Sequence, residues 1–205
     1  MNRRIEIFRT TAVAATVLFA AMSLACGGGG GGGGNNNPGN GGGLNASFTP
    51  ANSSPPASSV SMAAAGGSGA NFNIDINVRD INDVAGVAFA LRFNTNSASF
   101  VGIDAAGSAL DAGGVTLDVQ ASTSPSDAGV LLVVVSRQGS MNAGVDITGS
   151  QRVLTLSFRA EQATGGASFT FDDTAGERVV EACPSPTQAC SDVAASWFGG
   201  TMSAN

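Results

Sequence analysis

The chain has 205 residues, with nine Arg, no Lys, fifteen acidic residues and a formal net charge of −6. With no Lys and no basic stripe, the composition argues against nucleic-acid binding. The chain also contains no His and no Tyr, which excludes Ser-His-Asp and Cys-His catalysis and leaves no phenol to act as acid or nucleophile.

Arg3 and Arg4 make a basic start, Ala12 to Leu24 is apolar, and Ala25 and Cys26 follow. This is the layout of a secretory signal over 1–25, with an apolar core too short to remain as a membrane span. The segment from Met22 to Cys26 is similar to a bacterial lipobox, so lipidation of Cys26 is expected. An ordinary signal peptide cut near Ala25 is the alternative. The expected product is an exported, membrane-anchored lipoprotein of the outer membrane or cell surface, touching the membrane through its N-terminal lipid alone. Loss of Arg3, Arg4, Arg9 and Glu6 leaves six basic and fourteen acidic residues, a net charge of −8.

Residues 26–58 read as a disordered tether. Eight glycines follow Cys26, then Asn- and Gly-rich sequence to Gly43, then Ser, Pro and Ala to Ser58. Such a stretch buries too little apolar area to offset its ordering entropy, and its r.m.s. reach is about 30 Å.

Residues 59–205 form the folded domain, of ordinary single-domain length. A first strand is expected near Val60. Phe72, Ile74, Ile76 and Val78 alternate with Asn73, Asp75, Asn77 and Arg79, and Val87, Phe89, Leu91 and Phe93 with Gly86, Ala88, Ala90 and Arg92. After a polar turn at Asn94 to Asn96 comes a short strand from Phe100 to Ile103. Val115, Leu117 and Val119 then alternate with Thr116, Asp118 and Gln120. A run from Val130 to Val135 is apolar on both sides. Leu154, Leu156 and Phe158 alternate again, Phe169 and Phe171 flank Thr170, and a last strand lies near Thr201. Each run is short, bounded by turn residues and free of helical period, which indicates an all-β protein of about nine strands. Glu177 to Ala182 reads either as a further strand or as one turn of helix.

Cys183 and Cys190 are an even pair in an exported chain and bracket a turn-rich loop, so a disulfide is expected between them. It would contribute about 2.5 kcal/mol on the chain-entropy model. Asp172 and Asp173 are the remaining option for carboxylate catalysis, but adjacent residues on a strand face opposite ways and a strand-end pair reads as a solvated turn. The turn from Asp80 to Asp83 offers oxygen ligands without calcium-loop spacing and reads as an Asx turn. No enzyme activity, cofactor or metal is expected.

Val84 to Leu110, with its strand, polar turn and second strand, closely resembles the core of a cohesin domain. The likeness continues through Val130 to Gly139, Gly149 to Ala160, Gly165 to Asp172 and Gly199 to Met202, in the family's order and over about the last 145 residues. The resemblance implies a nine-stranded jelly-roll β-sandwich that docks a dockerin-type or other protein partner in systems that degrade polysaccharide. It places the docking surface on the Val87 and Val130 strands, with Gly86, Ala88, Ala90 and Arg92 facing outward and Arg137 and Gln138 at the rim. Cohesins usually carry Asn- or Asp-like residues where Gly86 and Ala88 stand, which implies an atypical dockerin or another partner. The alternatives are that the loop carrying Cys183 and Cys190 covers this face, or that the face merely tolerates small residues.

A carbohydrate-binding module of the same sandwich type is the rival reading, with polysaccharide as ligand. It needs aromatic rings in solvent, and Trp197 beside Phe198 is the candidate platform. A structural envelope protein that has kept the fold and lost docking is a third reading.

Overall fold

The computed structural model describes residues 43–138, 143–174 and 178–205. Cys26 and the expected signal and tether residues up to 42 lie outside this range.

Twelve strands occur among the described residues: β1 Ala46–Pro50, β2 Ser59–Ser68, β3 Asn71–Arg92, β4 Ala98–Asp104, β5 Leu117–Thr123, β6 Val130–Arg137, β7 Val145–Ala160, β8 Thr164–Phe171, β9 Val179–Ala182, β10 Ser191–Val193, β11 Ser196–Phe198 and β12 Gly200–Ala204. A single 3₁₀ turn, Ala109–Asp111, interrupts them.

β3 organises the fold. Its first part pairs with β2 on one side and β7 on the other, and β2 and β7 in turn carry β11 and β4. Its last part pairs with β6 on one side and with β9 and then β8 on the other. β5 extends β6, and β10 extends β9. Between the two parts, Asp80 and Asp83 adopt positive φ (48° and 57°) and the ladder with β7 shifts register around Ile81. Bulges of this kind bend a strand and increase its twist. One strand therefore serves two leaves, β11–β2–β3–β7–β4 and β10–β9–β3–β6–β5, and β8 leads β12 and β1 away from its end.

The core fills from the alternating positions. Phe72, Ile74, Ile76, Val78, Val87, Phe89, Leu91, Leu131, Val133, Val135, Leu154, Leu156 and Phe158 all join one buried cluster, as period-2 strands with one apolar face require. Phe72, Phe93, Phe158 and Phe169 meet with ring centroids 5.0–5.8 Å apart, edge-on or offset. Such geometry adds to the energy of burial.

Several expectations change. The segments around Phe72 and Val87 are one 22-residue strand rather than two, because pairing with β7 carries across the bend while the register shifts and the core-facing positions pass from even to odd. Val179–Ala182 is a strand, and β10 and β11 are short additions of three residues each that carry too little alternation to read. The folded region also begins earlier than residue 59. β1 pairs along its length with β12 and buries Phe48, so 43–58 are not free tether. Gly199 and Gly200 explain part of this closure. A Cβ at Gly199 would lie 2.2 Å from the Phe169 carbonyl oxygen, and one at Gly200 would lie 2.3 Å from the Phe48 ring.

Candidate docking face

The outer side of the leaf β10–β9–β3–β6–β5 follows from strand parity. Val87, Phe89 and Leu91 point into the core, so Gly86, Ala88, Ala90 and Arg92 belong to the opposite side. Register then supplies their neighbours. Ala88 stands opposite Val134 on β6 and Val179 on β9, Ala90 opposite Leu132, and Gly86 between Ser136 and Glu181. On β5, Asp118, Gln120 and Ser122 face Ser136, Val134 and Leu132. On β10, Asp192 stands opposite Glu181.

The result is a low apolar saddle of Ala88, Val134, Val179 and Leu132, edged by polar groups. Leu132 is 39% exposed, one of two large apolar side chains so exposed among the described residues. Gly86 is buried and Ala90 is only 1% exposed, so the flat stripe is less open than expected. The reason is height: residues with little or no side chain lie between taller neighbours. Ala90 is also closed in at its end by the turn at Asp172, whose backbone N–H donates to the Ala90 carbonyl at 2.9 Å.

Arg92 lies at the lower edge of the face. Its guanidinium donates to Asp127 at 2.8 Å and to Asp172 at 2.5 Å. These hydrogen bonds, with Asp127 contributing more than Asp172, raise its pKa. In return Arg92, helped by the Gly129 backbone N–H, lowers the Asp127 carboxyl below the usual carboxylate range. Arg92 is therefore a pinned group on the face, with its charge already matched.

Arg137 is a correction. It shares the parity of Val133 and Val135 and turns to the core side of β6, where Nη1 donates to the carbonyls of Leu110 at 2.5 Å and Ala112 at 3.0 Å. It fastens the 3₁₀ turn and is not part of the docking face. Gln138 follows the strand end, exposed, with its backbone N–H donating to Thr116 at 2.8 Å.

The disulfide forms between Cys183 and Cys190, with Cα atoms 4.3 Å apart. Ala182 pairs with Ser191, so the bond closes the β9–β10 hairpin one step beyond its last pair. That hairpin extends the leaf at its edge and does not lie across Ala88. Glu181, Cys183 and Cys190 bring ligand-type atoms within 4.8 Å of one another, but the disulfide consumes both thiolates a metal would need.

Sequence reading had Val134 only as part of a run apolar on both sides, and missed Val179, Gln120, Glu181 and Asp192 as members of the face. Register alone identifies these four, against β3 for Val179 and Glu181, and through β6 and β9 for Gln120 and Asp192. The aromatic candidates lie elsewhere. Trp197 is half-buried, with its ring 4.9 Å from Phe171 and 6.2 Å from Phe89. Every Phe among the described residues is buried or half-buried.

No family model matches the chain, and no curated protein is similar to it in sequence. Solved structures are similar in fold. A type II cohesin domain from the cellulosome of Acetivibrio cellulolyticus matches with a TM-score of 0.54 at 14% identity, over 72% of this chain and 95% of that domain. A chain from the CaDoc0917–CaCohA2 complex matches with a TM-score of 0.50 at 12% identity, over 68% of this chain and 95% of its own length. The domain therefore has a cohesin-like, all-β sandwich fold.

Proposed function

We propose that this domain is a non-catalytic docking module whose β9–β3–β6–β5 face seats a dockerin-type protein partner. The observation that carries the reading is the saddle around Ala88. Small and branched apolar side chains form a shallow, partly exposed surface in the middle of a sheet face, with hydrogen-bonding groups around it. Surfaces built this way, apolar at the centre and polar at the rim, suit protein partners. The likeness to the CaDoc0917–CaCohA2 complex supports a partner of that type.

Gly86 and Ala88 offer a partner no side-chain hydrogen bonds. Ser136, Gln120 and Ser122 stand on the neighbouring strands of the same face, so polar recognition moves from β3 to β6 and β5. An atypical dockerin fits that displacement. The inward-turned aromatic side chains favour a protein partner over a sugar platform. The polysaccharide connection belongs to the partner, which would carry the degradative or attachment activity. Lipidation of Cys26 would hold the domain at the cell envelope, and metabolic palmitate labelling that is lost in Cys26→Ser tests that part.

The docking reading is tested by titrating the protein against dockerin-bearing proteins from the same source. Binding tighter than about 100 μM supports a specific complex. Absence of binding across the set counts against a dockerin partner.

A further inference from the structure

We propose that the dithiol form of this chain binds one thiophilic divalent cation of the zinc class, held by the sulfurs of Cys183 and Cys190 and a carboxylate oxygen of Glu181. Strand parity brings the three groups together. Val180 and Ala182 are buried on the core side of β9, so Glu181 and Cys183 share its outer side. The hairpin adds Cys190: Ser191 pairs with Ala182, and the two cysteine Cα atoms stand 4.3 Å apart. One ligand-type atom from each of the three residues lies within 4.8 Å of the other two, and no other group of three His, Cys, Asp or Glu among the described residues converges in this way.

The spacing suits a tetrahedral ion. With Zn–S about 2.3 Å and Zn–O about 2.1 Å, two sulfurs stand about 3.8 Å apart and a sulfur and an oxygen about 3.6 Å. Both separations fit inside the 4.8 Å the three groups span, so the free thiols need only turn apart, and water takes the fourth position. Cys183 is 4% exposed and its backbone is fixed, donating to the Asp83 carbonyl at 2.8 Å and accepting from the Gly144 N–H at 2.8 Å. Cys190 is exposed, which gives the ion a way in. No salt bridge among the described residues reaches Glu181, so its carboxylate is available as a ligand. The dithiol is the form in which the chain is made. Binding releases a proton from each thiol. Closing the disulfide instead takes two electrons and two protons from the pair and passes them to a disulfide oxidant, which leaves as a dithiol. Each outcome uses both sulfurs, so metal uptake and disulfide closure exclude one another. The ion would sit at the hairpin edge of the docking face, and its binding does not depend on what that face seats.

The test uses the full chain, reduced with a phosphine and kept from oxygen, with cobalt(II) as the spectroscopic stand-in for zinc. The expected result is uptake of one ion per chain, with thiolate charge-transfer absorption and the visible bands of a tetrahedral site, both displaced by zinc. Glu181→Gln should bind at least about tenfold more weakly, Cys190→Ser should lose the tetrahedral bands, and the oxidised chain should take up none. The zinc-loaded dithiol should also resist a disulfide oxidant that closes the metal-free form. Far-UV circular dichroism follows the fold through the same titration, and if the reduced chain loses its strands without metal, the ion should restore them. No uptake by the reduced chain, or unchanged affinity in Glu181→Gln, would overturn the proposal. Equal affinity in the urea-unfolded reduced chain would overturn it too, because binding would then owe nothing to where the fold places the three groups.

Discussion

Ala88→Arg separates the two sides of the leaf and tests the docking face at its centre. Ala88 is half-buried, with Val134 and Val179 across the ladder on either side. An Arg stem at this position has room to lie over those side chains with its head in water, as long cationic side chains do. Glu181 stands on the next row of the same face, so the new charge meets an acidic neighbour and not a basic one. The folding free energy should therefore change by no more than about 0.5 kcal/mol. Docking responds differently. A partner lying against the saddle must either bury the guanidinium without its own counter-charge or be held off the sheet, and the loss should be about 3 kcal/mol or more. That corresponds to a Kd weakened about a hundredfold or more. Urea unfolding and calorimetric titration with a binding dockerin measure the two quantities on the same samples. Destabilisation beyond about 2 kcal/mol would mean that Ala88 packs in the core and that the faces are inverted. A folded variant with unchanged affinity would place recognition elsewhere.

Arg137→Ala should do the reverse, costing about 2 kcal/mol because two carbonyls of the 3₁₀ turn lose a charged donor, while affinity stays unchanged; denaturant midpoints and titration check both. Gly199→Ala should destabilise by about 2 kcal/mol or more, because its Cβ would meet the Phe169 carbonyl oxygen at 2.2 Å and one chain must shift; thermal unfolding reads this. Glu181→Gln should stabilise the domain at neutral pH. The folded state raises the Glu181 pKa through burial and then Asp192, so it binds that proton more tightly than the unfolded chain, and stability falls as pH rises through the interval above the ordinary Glu value. Stability–pH curves of the two proteins should converge below that value and separate above it, and parallel curves would contradict the assignment. Asp127→Asn should show the opposite sign. The folded pKa of Asp127 is lowered, chiefly by Arg92, so its contribution is present above the ordinary Asp value and disappears as pH falls through the folded one.

How much of this was legible in the sequence depends on whether a feature is local. Alternation is local, and it identified the core residues of β3 and β7 because one apolar face per strand leaves a period of two, whereas β6, apolar on both sides, needed its register to show which residues face inward. The disulfide was legible for the same reason, since only the six residues of a turn-rich loop lie between its ends. The parity of Ala88 was readable too. Arg137 was not, although it obeys the same rule: it is the next core-side residue after Val133 and Val135, yet a charged residue at a strand end reads as solvent-facing. Its pairing with the 3₁₀ turn, 25 and 27 residues away, overrides that expectation. The bend of β3 was hidden in the other direction. Asp80 and Asp83 look like a turn between two strands, but backbone pairing with β7 continues past them, so they deflect one strand instead of ending it. This deflection also gives the docking face its composition. The polar residues before the bend, Asn73, Asp75 and Asn77, belong to the first leaf, whereas Gly86, Ala88 and Ala90 belong to the second. A single strand thereby shows hydrogen-bonding side chains on one side of the sandwich and almost none on the other. Apart from Arg92, side-chain chemistry on the second side must come from β5, β6, β9 and β10, and only the register of those strands reveals it.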